Sequence, residues 1–180
     1  IVACYTLCVA QGTSSLSTDA SYRPLYTIAV GGMGRVDLAV RREGSFERLF
    51  AIKRLRPELL NEPEVRDMFV DEARIAGLVR HPNVVSVLDV GQDSSGPFAV
   101  MEFVEGVSVA QLLTKLAGSP LPLEVALEIG IQTAEGLHAA HELVGPDGAA
   151  LELVHRDVSP QNILVGFDGI VRVTDFGVAK

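Results

Sequence analysis

Four short groups of residues, well separated along the chain, carry the side chains that moving a phosphoryl group requires. That chemistry asks a protein to position a highly charged nucleotide, to offset its charge with metal, and to orient an acceptor hydroxyl. Gly31-Gly32-Met33-Gly34 lies between two strand-like runs, where missing side chains let backbone amides approach phosphate oxygens. Ala51-Ile52-Lys53 puts an ammonium on the third such run, and Glu72 in the helical stretch that follows offers a carboxylate to hold it. In His155-Arg156-Asp157 the aspartate stands five residues before Asn162, a spacing that lets one loop accept a hydroxyl proton and ligate metal. Asp175-Phe176-Gly177 adds a second metal-binding carboxylate beside a flexible glycine. Each group alone also has a plain reading, as a flexible hairpin, a structural ion pair or a simple turn. Their joint occurrence in this order is what carries weight.

The elements that must position these groups change character along the chain. Leu25–Val30, Val36–Arg41 and Leu49–Arg54 read as strands divided by the glycine cluster and by the turn Arg42-Glu43-Gly44-Ser45. Glu64–Val79 places Val65, Met68, Phe69, Ala73, Ala76 and Val79 three and four apart on one helical face, and His81-Pro82 stops it. Two more strands are expected at Ser86–Val90 and Phe98–Phe103. Past Gly106 the pattern turns helical, with helices over Ser108–Ala117 and Leu123–Leu143. A hairpin of Ile163–Val165 and Ile170–Val173 then turns about Phe167-Asp168-Gly169.

The chain of 180 residues is 48% hydrophobic and 21% charged, which fits a folded protein with one domain or two small lobes. Only 6% of it is aromatic, so aliphatic side chains must fill most of the core. A formal charge of -8 argues against nucleic acid as a partner, since binding its backbone needs a positive surface. Cys4 and Cys8 both fall in the first ten residues, so no disulfide framework holds the main body, and a cytoplasmic setting is expected. Ile1–Ala10 is apolar but too short to span a bilayer, so membrane attachment would need segments outside this sequence. Residues 1–21 are expected to be a disordered leader and linker, with the domain starting near Tyr22. No Gly-x-x-x-x-Gly-Lys-Ser/Thr run is present, which excludes a P-loop NTPase.

Taken in order, the four groups resemble the signature set of protein kinases, supported by His81-Pro82-Asn83 and the hinge-like Met101-Glu102-Phe103-Val104-Glu105-Gly106. The wording Gly-Gly-Met-Gly and Val-His-Arg-Asp-Val-Ser-Pro-Gln-Asn is most similar to bacterial kinases of the eukaryotic-like serine/threonine class. The resemblance implies a bilobal α+β fold: an antiparallel β N-lobe with one helix over 22–105, and an incomplete helical C-lobe over 106–180. It implies ATP and Mg²⁺ as cofactors and a protein substrate with a Ser/Thr acceptor. Carried onto this sequence, it makes Lys53 the anchor of the α- and β-phosphates, Glu72 its partner, Asp157 the catalytic base, and Asn162 and Asp175 the metal ligands. Ala29, Gly31, Gly32 and Gly34 would form the phosphate loop. Val36, Ala51 and Leu164 would sandwich the adenine, Met101 would close the rear of the pocket, and the backbone of Glu102 and Val104 would read the adenine edge.

Three departures stand out. Ala29 occupies the place of the first loop glycine, which alanine tolerates at negative φ. Ser159 stands where serine/threonine kinases usually carry a lysine, although Pro160 keeps their pattern. Gly145–Leu153 lengthens the connection before the catalytic loop and reads as a surface hairpin. The resemblance stops three residues after Gly177, so an activation segment is expected beyond Lys180, and the chain by itself is expected to be weakly active. A nucleotide-binding pseudokinase and a small-molecule kinase of similar fold are the competing expectations.

Overall fold

The computed structural model describes residues 22–145, 148–151 and 153–176. The expected leader at 1–21 and Gly177 lie outside the described residues. The first half forms β1 (Arg23–Val30), β2 (Gly34–Glu43), β3 (Phe46–Leu55), a single 3-10 turn at Pro57–Leu59, α1 (Pro63–Ala76), β4 (Val87–Asp93) and β5 (Gly96–Glu102). The strands make one antiparallel sheet in the order β1-β2-β3-β5-β4. After Glu105 come β6 (Gly106–Ser108), α2 (Val109–Lys115), α3 (Leu123–His141), β7 (Ile163–Gly166) and β8 (Val171–Val173), with a second sheet in the order β6-β7-β8.

Alternation along β3 and β5 divides the first sheet into two faces, since cross-strand partners point the same way. Ile52 and Phe50 share one face with Phe98, Val100, Ala39 and Tyr22, where Tyr22 meets Phe50 edge-on at 5.2 Å. The opposite face presents Leu55 and Ala99 to Phe69 and Ala73 of α1, and further along it presents Lys53 and Ala51 to the cleft between the lobes. A buried bidentate ion pair from Arg54 to Asp93, at 3.1 and 2.8 Å, ties β3 to the β4–β5 turn.

α1 opens with Pro63 in its first turn, where a missing N–H costs nothing. It ends at Ala76, earlier than the Val79 expected from periodicity. The amides of Leu78 and Val79 turn back onto Ile75 and Ala76, and this tight turn drops Val79 into the core between the lobes. Ser108 caps α2 through a reciprocal capping box with Gln111. The expected surface hairpin after α3 is present in part, with Val144 bridged to Ala150 and Gly145 donating to Ala149 at 2.8 Å.

The connection from α1 to β4 belongs to both lobes. The Asn83 side-chain amide donates to Gln132 of α3 at 2.9 Å and to the Val171 carbonyl of β8 at 2.8 Å. The Asn83 carbonyl accepts from Val173 at 2.9 Å, and Val85 donates to the Val173 carbonyl at 2.9 Å. Gly136 lets α3 approach this loop, because a Cβ there would collide with the Asn83 carbonyl oxygen. None of the helices among the described residues is long and apolar enough to cross a membrane.

Candidate active site

The glycine turn joins β1 to β2 and is pinned on its β3 side. Gly31 donates to the Gly34 carbonyl at 2.8 Å, and Arg56, just past β3, donates to the Met33 carbonyl at 3.1 Å. Gly34 is buried where a side chain would strike the Arg54 carbonyl, so this glycine is fixed by close approach of β3. Ala29 pairs with Val36 in the β1–β2 ladder, and its φ is negative, as an alanine at that place requires.

Lys53 sits on the cleft face of β3, and α1 lies across that face, so Glu72 comes within reach of it. The Lys53 Nζ is 3.5 Å from Glu72 Oε1 and 2.9 Å from Asp175 Oδ1. Burial alone would push the Lys53 ammonium down, but Asp175 and Glu72 outweigh it and hold it above the ordinary lysine value. Burial pushes the Glu72 carboxyl above its ordinary value. Lys53 opposes that shift and the Asp175 charge adds to it. A lysine has three donors, so two carboxylates leave one N–H for a further acceptor.

The catalytic-loop candidates are organised by His155, which is 1% exposed. Its Nε2 lies 2.9 Å from the Thr174 carbonyl, and its Nδ1 accepts from the Asp157 amide at 3.3 Å, roles filled by the tautomer protonated on Nε2. The ring packs on Phe176 at 4.6 Å between centroids, and Phe176 is buried with Ala76, Val79 and Val173. Arg156 and Asp175 both adopt left-handed backbone, at φ 62° and 61°, a conformation non-glycine residues hold only when their surroundings enforce it. Asn162 donates from its side-chain amide to the Asp157 carboxylate at 2.9 Å and carbonyl at 3.0 Å. Its backbone carbonyl accepts from Thr174 at 2.9 Å, which draws the residue before Asp175 against the loop.

A divalent cation fits this donor set. The Asn162 amide nitrogen is committed to Asp157, which leaves its oxygen for a ligand, and Asp175 contributes carboxylate oxygen. Among the described residues no group of three or more His, Cys, Asp or Glu side chains forms a cage, so the ion's remaining ligands would be phosphate oxygens and water.

The adenine-pocket candidates also come together. Ala51, Met101 and Val85 form one buried cluster, with Val36, Val104, Val87 and Leu164 packed against it. Val36 and Ala51 come from the sheet and Leu164 from β7, so the cluster has walls from both lobes. Asp157 and Arg156 are exposed at the mouth of the cleft, and Ser159 is half-buried with its carbonyl accepting from Asn162 at 2.9 Å. Sequence reasoning did not single out Thr174, whose backbone links His155, Asn162 and Asp175. Backbone contacts of this kind have no signal in residue type.

Residues 22–180 match the family model described as protein kinase domain. The chain is 41% identical over 157 residues to the tyrosine-protein kinase MasK of Myxococcus xanthus, covering 85% of this chain and 24% of that protein. It is 37% identical over 158 residues to the serine/threonine-protein kinase PrkC of Bacillus subtilis, covering 88% of this chain and 22% of that protein. The chain thus spans about a quarter of the length of these curated relatives. The PknI kinase domain of Mycobacterium tuberculosis superposes with a TM-score of 0.73 at 28% identity, covering 94% of this chain and 63% of that one.

Proposed function

Because the chain belongs to the protein kinase domain family, we propose that the full-length protein transfers the γ-phosphoryl group of ATP to Ser or Thr hydroxyls of protein substrates, with Mg²⁺ and in the cytoplasm. The observation that carries this reading is the convergence of Lys53, Glu72 and Asp175, contributed by β3, α1 and the segment after β8, on one point in the cleft. Lys53 holds the α- and β-phosphates with its remaining donor, and Glu72 fixes where that ammonium stands. Val36, Ala51 and Leu164 hold the adenine, and the backbone of Glu102 and Val104 reads its edge. Asp157 accepts the hydroxyl proton, steered by the Asn162 amide that grips it. Asn162 and Asp175 would hold Mg²⁺, which would supply positive charge to offset that of the phosphates during transfer.

A second reading, transfer to tyrosine, is favoured by two observations. Ser159 offers a short side chain where a lysine would otherwise reach toward the acceptor, and MasK is named a tyrosine kinase.

Incubating the full-length protein with labelled ATP, Mg²⁺ and a basic protein acceptor, followed by phosphoamino-acid analysis, decides among these. Phosphoserine and phosphothreonine, lost in Asp157→Asn, are the expected products. Phosphotyrosine alone supports the second reading. ATP binding without transfer to any protein hydroxyl identifies a pseudokinase and overturns both.

A further inference from the structure

Asp37 is a buried carboxylate for which the transfer chemistry has no use. It lies on β2 shortly after Gly34 and pairs in register with Ile52, on the sheet face turned away from the cleft. Val36 and Lys53, one place along each strand, form the neighbouring pair on the cleft face. Asp37 therefore touches no nucleotide. At 5% exposure its charge has lost most of its water, and two groups replace it. Thr27 Oγ1 donates to Oδ1 at 2.6 Å, and Arg35 Nε donates to Oδ2 at 3.1 Å.

The position of these bonds gives them their meaning. The β2–β3 ladder runs without a break from Gly34–Leu55 to Glu43–Phe46, and Arg56 secures Met33 on the same side. The β1–β2 ladder slips between Thr27 and Ala29, leaving Ile28 as an extra residue just before the glycine turn. Such a bulge interrupts ladder pairing and bends its strand, so β1 is the looser support of the turn. The Thr27–Asp37 bond crosses between the strands at the last register pair before the slip, and Arg35 ties the same carboxylate to the turn side of it.

We propose that Asp37 is a positioning residue for the glycine turn, holding Thr27 and Arg35 across the β1 bulge so that Gly31–Gly34 stays seated over the nucleotide phosphates. The inference rests on the nucleotide-binding reading above. It separates the phosphate end of the site from the adenine end, because Val36 and Ala51 are held by the unbroken β2–β3 ladder and do not depend on the brace.

Calorimetric titration of the full-length protein with ATP·Mg²⁺ and, separately, with adenosine tests it. Asp37→Ala is expected to weaken ATP·Mg²⁺ about five- to tenfold and adenosine less than about twofold. Asp37→Asn, which keeps an acceptor for Thr27, recovers part of the loss. Thr27→Val, at an exposed strand position, shows the same selective loss in smaller measure and carries the test if Asp37→Ala does not fold. Equal weakening of both ligands, or of neither, overturns the proposal while leaving the kinase reading intact. A wild-type protein that binds no ATP·Mg²⁺ sinks both.

Discussion

Asn162 grips Asp157 twice, donating from one amide nitrogen to its carboxylate at 2.9 Å and to its carbonyl at 3.0 Å. The acidic side chain is therefore aimed by the residue that would also carry metal. Asp157→Asn is expected to lower kcat by about 10²- to 10⁴-fold with little change in the KM for ATP, the range for losing a positioned base. Asn162→Ala should lower kcat and also raise the Mg²⁺ concentration needed for half-maximal rate. Steady-state kinetics across a Mg²⁺ series checks both, and an unchanged Mg²⁺ requirement in Asn162→Ala would refute its dual role.

Lys53 balances two carboxylates, so removing one of them and removing the lysine have different consequences. Glu72→Gln keeps the neighbouring charge of Asp175 and should raise the KM for ATP about tenfold, the cost of one charge-assisted hydrogen bond. Lys53→Met leaves Glu72 and Asp175 facing each other without a cation and should also lower the melting temperature. Parallel melting curves and ATP kinetics distinguish them; equal melting temperatures for the two variants would contradict the arrangement.

The hairpin beyond the hinge offers a pH signature. Hydrogen bonds from Arg172, then from the Ile170 amide, lower the Asp168 carboxyl to about 2. A carboxylate lowered on folding contributes above its unfolded value of about 3.9 and loses that contribution as pH falls through its folded value. Titration of the Asp168 carboxyl carbon by NMR should show its midpoint near the lower figure, and Arg172→Ala should return it toward the ordinary range. Because Asp168 is exposed, its own ionisation should contribute little to stability at neutral pH.

Two glycines of α3 should respond oppositely to alanine. At Gly136 the new methyl meets the Asn83 carbonyl oxygen and should cost about 1–3 kcal/mol by overpacking. At Gly130 it meets nothing within 4 Å, and alanine should stabilise the helix by about 0.5–1 kcal/mol. Denaturant unfolding of both variants settles the pair, and a neutral Gly136→Ala would mean that α3 does not close on the loop as described.

The candidate chemistry-bearing residues stood out in the sequence by spacing and order rather than by type, as with Asp157 five residues before Asn162 in one loop. Strand and helix identities were legible from periodicity, but limits drifted where tertiary packing intervened. Periodicity carries α1 through Val79, yet that residue packs in a turn below the helix. β6 gave no local signal at all, since Gly106-Val107-Ser108 reads as a boundary and becomes a strand only by pairing with Leu164, Val165 and Gly166 far along the chain. Asp37 was invisible for a related reason: a carboxylate between Val36 and Leu38 reads as the wet side of a strand, and only Thr27 and Arg35 make its burial tolerable.

The mooring of Asn83 to α3 and β8 gives α1 a divided allegiance. Its body lies against β4 and β5 of the sheet, while the chain leaving it is fastened to the helical lobe. The Lys53–Glu72 contact at 3.5 Å therefore leans on both lobes, through the sheet that carries α1 and through the loop that anchors its end.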